Sequence, residues 1–130
     1  MASFNKFNCF VEDMAEKAHN LSSDTLKVAL TNTAPTAADT TWNTTDHPAP
    51  AAANGYTAGG NSCTISSSAQ SSGTYKLVLA DPATWTATSG GIGPFRYAIL
   101  YNETASAKPI GWWDYGSSVT LADTETFAVD

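Results

Sequence analysis

Residues 26–31 read LKVALT: Leu26, Val28 and Leu30 alternate with Lys27, Ala29 and Thr31. A period of two sends alternate side chains to opposite faces of an extended chain, so this stretch predicts a strand with one buried face. The second half of the chain repeats the pattern in shorter form. We read β-like runs at 63–67, 75–80, 84–88, 95–101, 110–113, 119–121 and 127–129. Turn residues separate them at Ser72-Gly73, Asp81-Pro82, Ser89-Gly90-Gly91, Asn102-Glu103, Tyr115-Gly116 and Asp123. Short strands recurring every 8 to 12 residues or so, with no helical pattern between them, predict an antiparallel sandwich, jelly roll or barrel. The same observation argues against a parallel βαβ architecture.

Upstream of that strand the period is different. Phe4, Phe7, Phe10 or Val11, Met14, Ala15 and Ala18 recur three or four apart, which predicts an amphipathic α-helix within residues 1–22. Asp13 and Lys17 stand in the favourable order for an ion pair along it. Downstream, residues 32–54 carry Pro35, Pro48 and Pro50, many Thr and no period, with Trp42 as their one bulky group. Loops of that length in compact domains are functional or mobile. The expected fold is a single mainly β domain: an N-terminal helix (1–22), then an antiparallel β-sandwich of jelly-roll type (24–130) with a long loop at 32–54.

Composition narrows the function. The 130 residues hold 6 basic and 12 acidic side chains, for a formal charge of −6. With its few cations scattered along the chain, the protein lacks the basic excess that nucleic-acid binding needs. No apolar run approaches the roughly 18 residues of a membrane span. Glu12, Asp13 and Glu16 sit where a secretory signal would be apolar, so the chain is expected to be made in a cytoplasm and to have no membrane partner. Cys9 and Cys63 are the only cysteines. Without CxxC spacing they read as reduced thiols, buried or half-buried, with a single Cys9–Cys63 bridge as the alternative. Only 14% of residues are charged, against about a quarter in an average soluble chain, and Thr and Ser make up about a quarter of the sequence. Such a surface reads as one meant to lie against other protein.

Catalytic patterns are weak. His19 and His47 are the only histidines and form no HExxH or HxxxH spacing; His47, in Asp46-His47-Pro48, reads as a solvated loop residue. Glu103 and Asp114, as a carboxylate pair for glycoside hydrolysis, are turn acids of a common kind. SGGIGP, residues 89–94, lacks the Lys and Ser/Thr of a phosphate loop. No enzyme, metal or cofactor is expected. The richest stretch is IGWWDYG, residues 110–116. Trp112 and Trp113 point to opposite faces of a strand, so at most one joins the main core. With Asp114 and Tyr115 beside it, an exposed Trp suits sugar stacking or an interface anchor. A Trp in each of two packed layers is the structural alternative. The Phe4, Phe7 and Phe10 stripe likewise packs on its own sheet or on a partner. The candidate interface residues are therefore Phe4, Phe7, Phe10, Trp42, Trp112, Trp113 and Tyr115.

The strings NKFNCFVEDMAEKAHNL, SDTLKVALTNTAPTAADT, ANGYTAGG, SGTYKLVLAD, FRYAILYNET and IGWWDYGSSVTL, in that order, resemble a family of small virion structural proteins of tailed bacteriophages. The resemblance runs from Phe4 to Phe127 and rests on framework strings; it marks no active site. It implies a β-rich domain, of jelly-roll kind, that cements or decorates the outside of the head shell in many copies. The partner would be the major capsid protein, and the protein itself a dimer or trimer. Minor tail or fibre components are the alternative within such families, and a carbohydrate or host-surface binding module using exposed Trp and Tyr is the alternative function. Relatives are expected to run about one strand beyond Asp130, so the last strand reads as shortened or as completed by a neighbouring chain.

Overall fold

In the computed structural model residues 2–130 are described. The fold is mainly β and antiparallel throughout, with one short helix. Its centre is a five-stranded sheet. β2 (Leu26–Thr31) lies between β3 (Asn61–Cys63) and the long β7 (Ile92–Asn102). β8 (Lys108–Leu121) follows, and β1 (Ser3–Lys6) closes the far edge. Two separate ribbons complete the molecule: β4 (Ile65–Ser71) with β5 (Thr74–Leu79), and β6 (Trp85–Thr86) with β9 (Thr126–Phe127).

The N-terminus departs from the expected helix over 1–22; of that segment, Met1 lies outside the described residues. Ser3–Lys6 is an edge strand whose partners run from Ser3 opposite Asp114 to Lys6 opposite Gly111. The helix α1 spans only Cys9–Ala15, and its N-cap Asn8 makes no side-chain capping bond. A helix of two turns with no cap has little stability of its own, whereas the edge of a sheet satisfies the backbone of residues 3–6 directly. Phe4 also packs, tilted, against Trp113 at 5.0 Å between ring centroids. Spacing alone could not separate this from a helical stripe. On α1 the buried position is Asp13, while Val11 and Met14 are exposed. Asp13 pairs with Lys108 at 2.9 Å, so the expected Asp13–Lys17 pair is replaced by a tie to β8.

β8 corrects a second expectation. Tyr115-Gly116 is no turn, and the runs at 110–113 and 119–121 belong to one strand. Tyr97 lies opposite Asp114 but Phe95 lies opposite Val119, so β8 bulges through residues 115–118. Gly116, at φ 99°, absorbs the local backbone reversal without ending the strand.

Register sorts the sheet into two faces. Val28 opposite Leu100 and Leu30 opposite Ala98 share a face with Ile110, Trp113 and Leu121 in the main core. Both ribbons cover it, through Ile65, Leu77 and Leu79 of the first and Trp85 and Phe127 of the second. Ala29 opposite Ile99, and Lys27 opposite Tyr101, share the other face with Trp112. Ala29 and Ile99 are completely buried, yet no strand layer covers them. That face is covered by Phe7, which packs on Trp112, and by the long loop: Trp42 stacks on Tyr101 at 4.3 Å, and the Thr31 hydroxyl donates to the Pro48 carbonyl. The loop is also stitched to the N-terminal segment, because the Asn8 N–H donates to the Ala37 carbonyl. Beyond the loop, Gly60 (φ 80°) passes so close to β2 that any Cβ would overlap the Val28 carbonyl.

Candidate functional site

Placing the seven candidate residues on this frame divides them. Phe7 is fully buried and packs on Trp112 at 4.6 Å between centroids, on the loop-covered face. Trp42 is half-buried on the same face, flat against Tyr101. Phe10 packs against the main core and the His19 ring, at 5.4 Å. Trp112 and Trp113 do point to opposite faces, each half-buried and each covered by one phenylalanine of the N-terminal segment. Four of the seven (Phe7, Phe10, Trp42 and Trp112) therefore serve the protein's own packing. Phe4 and Tyr115 remain open, at 50% and 54% exposure, with Trp113 between them.

Trp113 and Tyr115 belong to one region. A groove of about 420 Å³ opens where the main core ends, between the sheet and the C-terminal residues that follow β9. Trp113 and Tyr115, two apart on β8, line it together with Phe127 and Arg96. Phe127 sits edge-on to both Phe95, at 4.8 Å, and Tyr115, at 5.7 Å. It is held there by the pairing of Trp85 with Phe127.

Arg96 lines the groove and is held in place from behind by Asp114. Arg96 Nε donates to Asp114 Oδ1 at 2.8 Å and Nη2 to Oδ2 at 3.0 Å. The Gly116 N–H donates to the same Oδ1 at 2.8 Å. The β8 bulge creates this arrangement, because it frees Asp114 to turn back toward the Arg96 fork and brings the Gly116 amide round to it. The guanidinium and then the Gly116 amide hold the Asp114 carboxyl below its ordinary range, and the bond to Asp114 raises Arg96 in turn. Arg96 also lies 5.3 Å from the centre of the Tyr97 ring. It is the chain's only arginine, and that singularity was the one sequence signal pointing to it. Reading Asp114 beside Glu103 missed the pair: Glu103 belongs to Lys27, at 2.7 Å.

His47 also departs from expectation. It is buried, 3% exposed, with Nε2 3.1 Å from Asp39 Oδ2. Asp39 is fixed by the Thr36 N–H and hydroxyl. Burial works against the Asp39 charge, but these bonds and His47 outweigh it and hold the carboxyl below its usual range. The pair is a clasp within the folded loop, which is why a histidine in a Pro- and Thr-rich stretch is not solvated. Cys9 is half-buried and Cys63 buried, both as free thiols; burial lifts Cys63 to about 11. Among the described residues no group of three or more His, Cys, Asp or Glu is placed to hold a metal ion. Likewise, no helix among them is long and apolar enough to cross a membrane. Comparison with protein-family models, with curated proteins and with solved structures returns no match for the chain.

Proposed function

We propose that the protein is a tailed-phage head decoration protein, made in the bacterial cytoplasm, which binds the major capsid protein on the outer surface of the shell and stabilises it as a dimer or trimer. The sequence strings that resemble such proteins motivate the reading, and one structural observation carries it: the β4–β5 ribbon. Its inner side rests on the core through Ile65, Leu77 and Leu79. Its outer side presents Ser67, Ala69, Ser71, Thr74, Lys76 and Val78, paired across the two strands and all exposed. Lys76 is the only charge between residues 65 and 79. A two-stranded ribbon has two open edges and marginal stability by itself. A long, neutral ribbon of this kind is therefore suited to pairing or packing against another protein. In this reading the two ribbons, which lie over the same sheet face, are the second layer of a jelly-roll sandwich.

Neutral hydrogen-bonding side chains of low entropy make modest contacts that add up over many copies on a shell. The test has two parts. Quantitative mass spectrometry of purified virions of the encoding phage is expected to count hundreds of copies per particle; a handful would overturn head decoration in favour of a vertex, neck or fibre role. The double variant Ala69→Asp/Val78→Asp, whose side chains face solvent, is expected to keep the wild-type circular dichroism while losing at least about tenfold in shell occupancy. Wild-type occupancy by that variant would sink the ribbon as the docking element.

A further inference from the structure

We propose that the groove between β8 and the C-terminal residues is a binding site for a neutral oligosaccharide, with Trp113 and Tyr115 as its stacking floor and Arg96, oriented by Asp114, as its polar anchor. Trp113 and Tyr115, two residues apart on β8, both line the groove. The electropositive C–H face of a pyranose ring packs on the electron-rich face of an aromatic ring. Tyr115 is more than half exposed although it packs on Phe127, so its ring is presented rather than stored.

Hydroxyl groups require donors and acceptors at fixed positions beside that floor. Arg96 carries five N–H donors, of which Asp114 takes only Nε–H and one from Nη2. The remaining donors are held in a rigid plane with part of the side chain open to solvent. An apolar pocket of a few hundred Å³ with a few convergent polar groups is the common form of a small-ligand site. Charge selects among ligands. The one cation of the groove is already matched by Asp114, and Asp130 adds a carboxylate to the lining, so an anionic sugar gains nothing over an uncharged one. Trp42 and Trp112 lie on the opposite sheet face and take no part.

The test uses the full chain, ¹⁵N-labelled, titrated with maltotetraose, cellotetraose and chitotetraose at millimolar concentrations. At least one is expected to shift the amide signals of Arg96, Trp113 and Tyr115 in a saturable way, leaving those near Trp42 unmoved. Tyr115→Ala removes a ring the core does not need and is expected to weaken binding about tenfold or more. Arg96→Lys, which keeps the charge but loses the fork, is expected to weaken it comparably. Three results would overturn the proposal: no saturable shift with any of the three sugars, undiminished binding by Tyr115→Ala, or preference for 3′-sialyllactose over all neutral probes. Because the isolated protein suffices, the outcome is independent of whether the chain decorates a head.

Discussion

Lys17 shows how one residue can be set against its backbone. Helix α1 closes with the Ala18 N–H donating to the Asp13 carbonyl at 2.8 Å and the Lys17 N–H to Met14 at 3.4 Å. This is the Schellman arrangement, in which the residue after the cap turns left-handed and is usually glycine. Here it is Lys17, at φ 66°. Its Nζ has no ion-pair partner among the described residues, so no interaction offsets the strain. Lys17→Gly is therefore expected to stabilise the protein by about 1 kcal/mol, read as a rise in the urea midpoint at unchanged slope. A loss of stability would show that the stem of Lys17 contributes packing the fold depends on.

At the scale of elements, the loop from residue 32 to 54 is the surprise, because it acts as a layer. It roofs a sheet face whose residues Ala29, Thr31 and Ile99 are fully buried, and its main apolar peg is Trp42 on Tyr101. The backbone N–H of Trp42 donates to the carbonyl of Ala107, in the turn before β8, which fixes the peg's position. Trp42→Ala removes a half-buried ring and its stack, and is expected to cost about 2 to 3 kcal/mol. It should also make residues 32–54 the first site cut in limited proteolysis. A variant as stable and as resistant as the wild type would mean that the Asp39–His47 clasp and the Pro48 contact suffice to hold the loop.

At the scale of the whole molecule, His19 links three parts of the chain. It is 6% exposed, and its Nδ1 accepts a hydrogen bond from Asn102 Nδ2, which also donates to Asp24. Asp13, Asp24 and Lys108 are the charges around it. Burial holds the imidazole below its ordinary 6.5, against the pull of Asp13 and Asp24. The unfolded chain therefore takes up the proton first as pH falls. Its contribution is complete above about pH 6.5 and shrinks as the pH drops from there toward the lower folded value. The urea midpoint should accordingly fall between about pH 7.5 and pH 5, and His19→Gln should flatten that slope. Asp39 and Asp114 are held low instead, so their contributions are lost only below about pH 4 and leave this window clear. An equal slope in the variant would remove His19 as its source.

Local pattern carried most of the β structure: 26–31 was legible to the residue, and Ser72-Gly73 was legible as a turn. The opposition of Trp112 and Trp113 followed from strand geometry alone. Composition likewise placed the protein among charge-poor chains. What the tertiary structure decided were matters of long-range pairing. Residues 3–6 became a strand because β8 offered an unpaired edge and Trp113 a ring for Phe4. Tyr115-Gly116 became a bulge because Leu121 and Val119 still had partners on β7. His47 was buried because its loop found an apolar sheet face to cover. The groove, too, was invisible in the chain, since Arg96 and Asp114 meet only where the bulge shifts the register. Local sequence sets which residues prefer an extended chain or a turn; which edge is free and which face is bare are decided by the partners that fold against them.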